Sequence, residues 1–195
     1  MNHFFKAIAI VMTLLTSTCD ASILTISTKL VKSAIVDPLT KLSSTNSKLV
    51  RLSRLQKIRR VYKHVPMNPD HVLIVVDLCY QYGVDPDLVL ALIEVESHYK
   101  QYAKNKTSSA RGYSQMISST ARSLSKKLGY KSYVHHVHAY DPNINLHLMV
   151  YYVSYLLNTS NSLQSALVKY RGCNDQPYIR KVLSVRSSIK HNKAK

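Results

Sequence analysis

Ala91-Leu-Ile-Glu-Val-Glu-Ser-His98 and, a dozen residues on, Ala110-Arg-Gly-Tyr-Ser-Gln115 are the two stretches on which the chain turns. From Leu88 to Val95 every residue but Glu94 is apolar, the pattern of a helix buried on most sides. Asp85 and Pro86 open that helix, Asp as N-cap and Pro at the first helical position. Glu96 falls on the stripe Val89, Leu92, Ile93, Glu96, spaced i, i+3, i+4, i+7, so its carboxyl points with the core residues. Burial there disfavours the charged form and raises the pKa. A carboxyl that keeps its proton near neutral pH can serve as a general acid. A solvated carboxylate at a frayed helix end is the competing reading.

Outward from this pair, the composition describes a chain of 195 residues with a substantial apolar fraction, 46%, enough for a core. Lys and Arg number 27 against 10 Asp and Glu, a net charge of +17. Such a surface seeks an anionic partner: nucleic acid, an anionic membrane face or an acidic wall polymer. There is no Trp but there are 14 Tyr, so any stacking on a ligand ring falls largely to Tyr.

Residues 1–21 read as an export signal. Lys6 precedes the nine-residue apolar run Ala7 to Leu15, too short to span a bilayer, and Ala21 offers a small cleavage residue. Thr16-Ser17-Thr18 before Cys19 is a poor lipobox, leaving lipidation a minority reading. Residues 22–65 form a basic Ser/Thr/Lys-rich segment, with a linker or turn at Pro38 and Ser43–Ser47. Within it, Lys48 to Val61 reads as a basic amphipathic helix carrying Leu49, Leu52, Leu55, Ile58 and Val61. Its apolar stripe either packs on the following domain or meets an anionic membrane surface or a partner in the envelope. Residues 66–189 form the main domain and 190–195 a basic tail. Helices are expected over His71–Tyr82 behind the Asn68 cap, Asp85–Glu96, Ser118–Leu128 with Ser118 as cap, Asp141–Leu157, Ser162–Tyr170 and Pro177–Ile189. Ile144, Leu148, Tyr151, Tyr152 and Tyr155 mark the apolar side of the longest. Cys79 and Cys173, in an oxidising compartment, suggest a disulfide, with two unpaired thiols as the alternative. No metal is assigned to His135-His-Val-His138 and no cofactor to the chain, and no nucleic-acid motif is present.

Glu96-Ser97, then Ala110-Arg-Gly-Tyr-Ser-Gln115, then Ser119-Thr-Ala-Arg122 resemble, in order, three features of the soluble lytic transglycosylase (SLT) domain family, the lysozyme-like enzymes that cut peptidoglycan. That family reads Glu-Ser, Gly-Leu-Met-Gln and Pro-x-Thr-Ala-Arg. Lys169-Tyr-Arg-Gly-Cys173 weakly matches its Ala-Tyr-Asn-Ala-Gly signature, and Tyr178-Ile-Arg-Lys-Val182 is similar to its closing helix. The resemblance implies a predominantly α, α+β lysozyme-like domain and a monomeric enzyme of the envelope acting on glycan strands. It implies Glu96 as the catalytic group, Ser97 as its orienting neighbour, Tyr170 facing the acid, and Gln115, Tyr170, Gly112 and Tyr113 at the substrate. The departures are Tyr113-Ser114 for Leu-Met, no Pro before Thr120, and Arg171 where the family has Asn.

Most glycosidases need two carboxylates. From Asp70 onward this chain has only Asp70, Asp77, Asp85, Asp87, Glu94, Glu96, Asp141 and Asp175. Glu94 lies about 200° round the helix from Glu96, so the two cannot face one bond. A one-carboxylate mechanism fits better, and the resemblance implies one that closes a 1,6-anhydro ring on N-acetylmuramic acid. A goose-type lysozyme-like hydrolase and a catalytically weak, basic wall-binding protein are the alternatives.

Overall fold

The computed structural model describes residues 37–193, so the export-signal and Cys19 readings lie outside the described residues. The chain divides into two compact units, residues 1–53 and 54–195. The described elements are helices: α1 (Asp37–Val61), α2 (Pro69–Tyr82), α3 (Pro86–Ser97), α4 (Ser118–Lys127), α5 (His135–His138), α6 (Pro142–Asn158), α7 (Leu163–Arg171) and α8 (Gln176–Lys193). The β contribution among the described residues is two isolated antiparallel bridges, Lys104 with Arg111 and Arg111 with Met116. None of the described helices is long and apolar enough to cross a membrane.

Three helices start as their sequences dictate. Asn68, Asp85 and Asp141 each accept a hydrogen bond from the backbone N–H two residues on, with Pro next in the chain. Ser162 caps α7 in the same way through Ser165 N–H. At α4 the expectation fails: Ile117 occupies the cap position without a side-chain bond, and Ser118 is already helical. The linker expected at Pro38 and Ser43–Ser47 is also overturned, because α1 runs unbroken through both. Pro38 sits in the first turn, where a missing N–H costs nothing, and Ser, Thr and Asn each cost well under ~1 kcal/mol in a helix. The basic tail expected at 190–195 is helical as far as Lys193, since α8 continues.

Helix α3 is the centre of the second unit. Leu88 through Ile93 are all buried, each large side chain contributing about 1.5–3 kcal/mol of burial. Among the described elements α3 packs most extensively on α8, followed by α2 on α6. Ile58 and Val61, at the end of α1, join this core, while Leu49 and Leu52 are exposed. Helix α6 is buried on two sides. Leu146, Met149, Val150 and Val153 enter the main core, and Leu148 sits with Met116, Ala121 and Leu124 in a smaller cluster that Ile144, Tyr151 and Tyr152 flank. The single apolar side read from the sequence is therefore only the half facing α4, and Tyr155 on it is exposed. The suggested disulfide is absent: both cysteines are free, Cys79 buried in α2 with its thiol pushed up to about 12 by burial, and Cys173 exposed.

Candidate active site

A cleft of about 460 Å³ opens beside the C-terminal end of α3, lined among others by Glu96, Asn105, Ser108, Ser114, Gln115, Tyr152, Lys169, Tyr170 and Arg171. Glu96 is the only carboxylate in that lining. It is partly buried, and burial raises its pKa above the usual carboxylate range. Two neighbours work against that rise, a hydrogen bond from Tyr178 and the positive charge of Arg171. Tyr178 Oη donates to Glu96 Oε1 at 2.6 Å. Its own pKa is pushed far up, first by burial and then by Glu96, so it remains a donor throughout the working pH range. Glu94, by contrast, turns away toward His98, whose Nδ1 lies 3.3 Å from its carboxylate.

The backbone around the carboxyl is held in unusual conformations. His98 and Tyr99, directly after α3, and Gln115, across the cleft, are left-handed without being glycine, with φ of 50°, 57° and 44°. Each costs on the order of 1–2 kcal/mol, and such residues gather at functional sites. Gly112 is obligatory. A Cβ there would lie 2.0 Å from the Ala139 carbonyl oxygen and 2.7 Å from Asn145 Nδ2, and its φ is +71°. Asn145, buried on α6, fastens the same turn, accepting from Ser114 N–H at 3.0 Å and donating to the Ala139 carbonyl at 2.9 Å.

The residues singled out from sequence fare differently. Gln115 lines the cleft, but its amide N–H groups bond the carbonyls of Gly112 at 2.9 Å and Ala103 at 3.2 Å. That leaves the side-chain carbonyl oxygen for a ligand. Tyr170 also lines the cleft, yet its hydroxyl donates to the Ser114 carbonyl at 3.1 Å, and the tyrosine bonded to the acid is Tyr178. Ser97 is buried and donates to the Ile93 carbonyl one turn back, at 2.9 Å. Gly112 shapes the turn and is not among the lining residues. Tyr113 corrects the sequence reading: it is buried in the main core with its hydroxyl 2.8 Å from His71 Nδ1, because the turn after Gly112 sends it inward. His135 ties the Tyr/His segment to the cleft rim, Nε2–H donating to the Ser109 carbonyl at 2.7 Å while Nδ1 accepts from Tyr133 at 3.0 Å.

Sequence reasoning passed over Tyr178 as a partner of the acid and Asn145 altogether. Tyr178 lies 82 residues from Glu96 and carried no local signal for this contact. Asn145 did carry one, as an amide between Ile144 and Leu146 in an apolar helix.

The chain is similar to known proteins in sequence and fold. Residues 77–180 match the model of the transglycosylase SLT domain. Membrane-bound lytic murein transglycosylase C of Photorhabdus laumondii is 28% identical over 102 residues, covering 52% of this chain and 26% of its own length. The X-ray structure of an inactive mutant of lytic transglycosylase Slt from Pseudomonas aeruginosa superposes with a TM-score of 0.50 at 19% identity, over 66% of this chain and 23% of that one. The chain thus spans about a quarter of the length of each. With its family model matched over more than half its residues and its helical, lysozyme-like fold shared, the chain belongs to the transglycosylase SLT family.

Proposed function

We propose that this protein is a peptidoglycan lytic transglycosylase that cleaves the β-1,4 bond between N-acetylmuramic acid and N-acetylglucosamine, with Glu96 as its single acid and base. The observation that carries the reading is the lone cleft carboxyl with a raised pKa and a neutral hydrogen-bond partner. Protonated Glu96 donates to the glycosidic oxygen as the bond to the muramyl C1 breaks, and the substrate's acetamido group steadies the positive charge left there. The Glu96 carboxylate then takes the proton of the muramyl 6-hydroxyl as O6 bonds to C1. A 1,6-anhydro ring closes, Glu96 ends protonated as it began, and no water is consumed. One group acts in both directions, so its pKa must lie near the working pH, as burial favours.

In this reading Tyr178 positions the carboxyl, and Gln115 and Tyr170 line the strand-binding surface. Residues 66–189 form the catalytic domain, residues 1–21 an export signal, and the envelope is the place of action. The basic α1 segment serves an anionic surface or partner there. Mass spectrometry of products from purified peptidoglycan tests the chemistry. Anhydro-muropeptides are expected. Reducing ends, one water heavier, would instead make the protein a goose-type hydrolase, and intact strands would leave only wall binding.

A further inference from the structure

The cleft is poor in acid and rich in base. Glu96 is its one carboxyl, whereas Lys169 and Arg171 both line it. Arg171 is held in place rather than loose. Its Nε donates to Asp175 Oδ2 at 3.2 Å, and its guanidinium lies over the Tyr178 ring, 5.0 Å from the centroid. Stacking uses a face of the guanidinium and Asp175 takes one of its five N–H groups, leaving terminal N–H groups to bind further. Lys169 Nζ is tethered to the Thr159 carbonyl at 2.7 Å, which supplies a bond but no countercharge. With Glu96 protonated, the cleft lining carries two cations and no anion. A guanidinium fixed by an aromatic face and one carboxylate is preorganised for a second carboxylate.

Resting on the transglycosylase reading above, we propose that Arg171, supported by Lys169, binds a carboxylate of the glycan strand beside the bond cleaved and so selects anionic strands over neutralised ones. Two strand carboxylates have this chemistry: the lactyl carboxylate of a muramyl unit without its peptide, and the free carboxylates of an attached peptide. Arg171 acts on binding, through a charge-assisted contact that an amide cannot replace.

The test uses soluble strands, untreated or with carboxylates converted to amides, and the full chain as wild type, Arg171→Gln, Arg171→Lys and Lys169→Gln. Amidation should raise the wild-type KM roughly five- to tenfold, with kcat changed less. Arg171→Gln should show the raised KM on both substrates, and Arg171→Lys should recover part of the discrimination. Peptide-free strands identify the source: Arg171 dependence retained there points to the lactyl carboxylate, and dependence lost points to the peptide. If Arg171→Gln weakened both substrates equally while still responding to amidation, Arg171 would be only a support for Tyr178, and the proposal would fail. It would equally fail if wild type ignored amidation. Should no protein release product, the transglycosylase reading falls. Strand binding by Glu96→Gln, with and without Arg171→Gln, then decides the carboxylate contact on its own.

Discussion

The two ends of α3 meet the same partner helix and are treated in opposite ways. At the N-terminal end, Asp85 and Asp87 face cations of α8. Arg186 Nη2 lies 2.7 Å from Asp85, and Lys193 Nζ lies 2.7 Å from Asp87, which is almost wholly buried. Tyr62 adds its hydroxyl to Asp87 at 3.3 Å. At the C-terminal end, Glu96 meets the opposite end of α8, so the helices run antiparallel, and there the partner is the neutral hydroxyl of Tyr178. The helix dipole widens the contrast, favouring anions at the first turn and disfavouring them at the last. Two carboxylates neutralised by cations fasten the helix pair. The cleft carboxyl takes its hydrogen bond from a neutral donor, and burial outweighs that bond and the Arg171 charge to raise its pKa.

The largest effect expected from this contrast is loss of activity in Glu96→Gln, by roughly 10²–10⁴-fold, measured as product released from peptidoglycan. The fold should survive, which circular dichroism checks. Gly112→Ala should be the most damaging change to the cleft wall, at about 2 kcal/mol or more in denaturant unfolding, because its Cβ meets backbone. Lys193→Met should cost about 2 kcal/mol of stability by stranding the buried Asp87, reduced from a fully buried pair because the lysine is partly exposed. Its effect on the pH dependence of the reaction should be nil, since it touches the fastening end.

Tyr178→Phe should lower activity about tenfold. It should also move the alkaline limb of the pH–rate profile upward, because the lost hydrogen bond favours the charged form of Glu96. The smallest effect is a modest rise in Tm for Glu96→Gln at neutral pH. A carboxyl whose folded pKa is raised contributes its stability below its ordinary pKa and loses it as pH climbs through the folded value. Glutamine carries no such loss, so the difference in Tm should shrink in acid.

What was legible in the sequence was what is local. The caps at Asn68, Asp85 and Asp141 reach two residues and were readable as such. The direction of Glu96 followed from helical spacing. Contacts set by tertiary packing were not legible. Tyr170 and Tyr178 look alike in sequence, and only the approach of α8 to α3 gives the acid to the second. Tyr113 sits inside a cleft motif, yet a left-handed Gly112 pinned by Asn145 turns it into the core. Composition misled at Ser43–Ser47, where polar residues suggested a break that no Gly or Pro was there to enforce.

The most direct measurement is a ¹³C NMR titration of the Glu96 carboxyl, assigned by comparison with Glu96→Gln. An apparent pKa above the ordinary carboxylate range, coinciding with the alkaline limb of the pH–rate profile, is the predicted result. A carboxyl that titrates at or below that range would contradict the account, because Glu96 would then reach the bond already stripped of the proton it has to give.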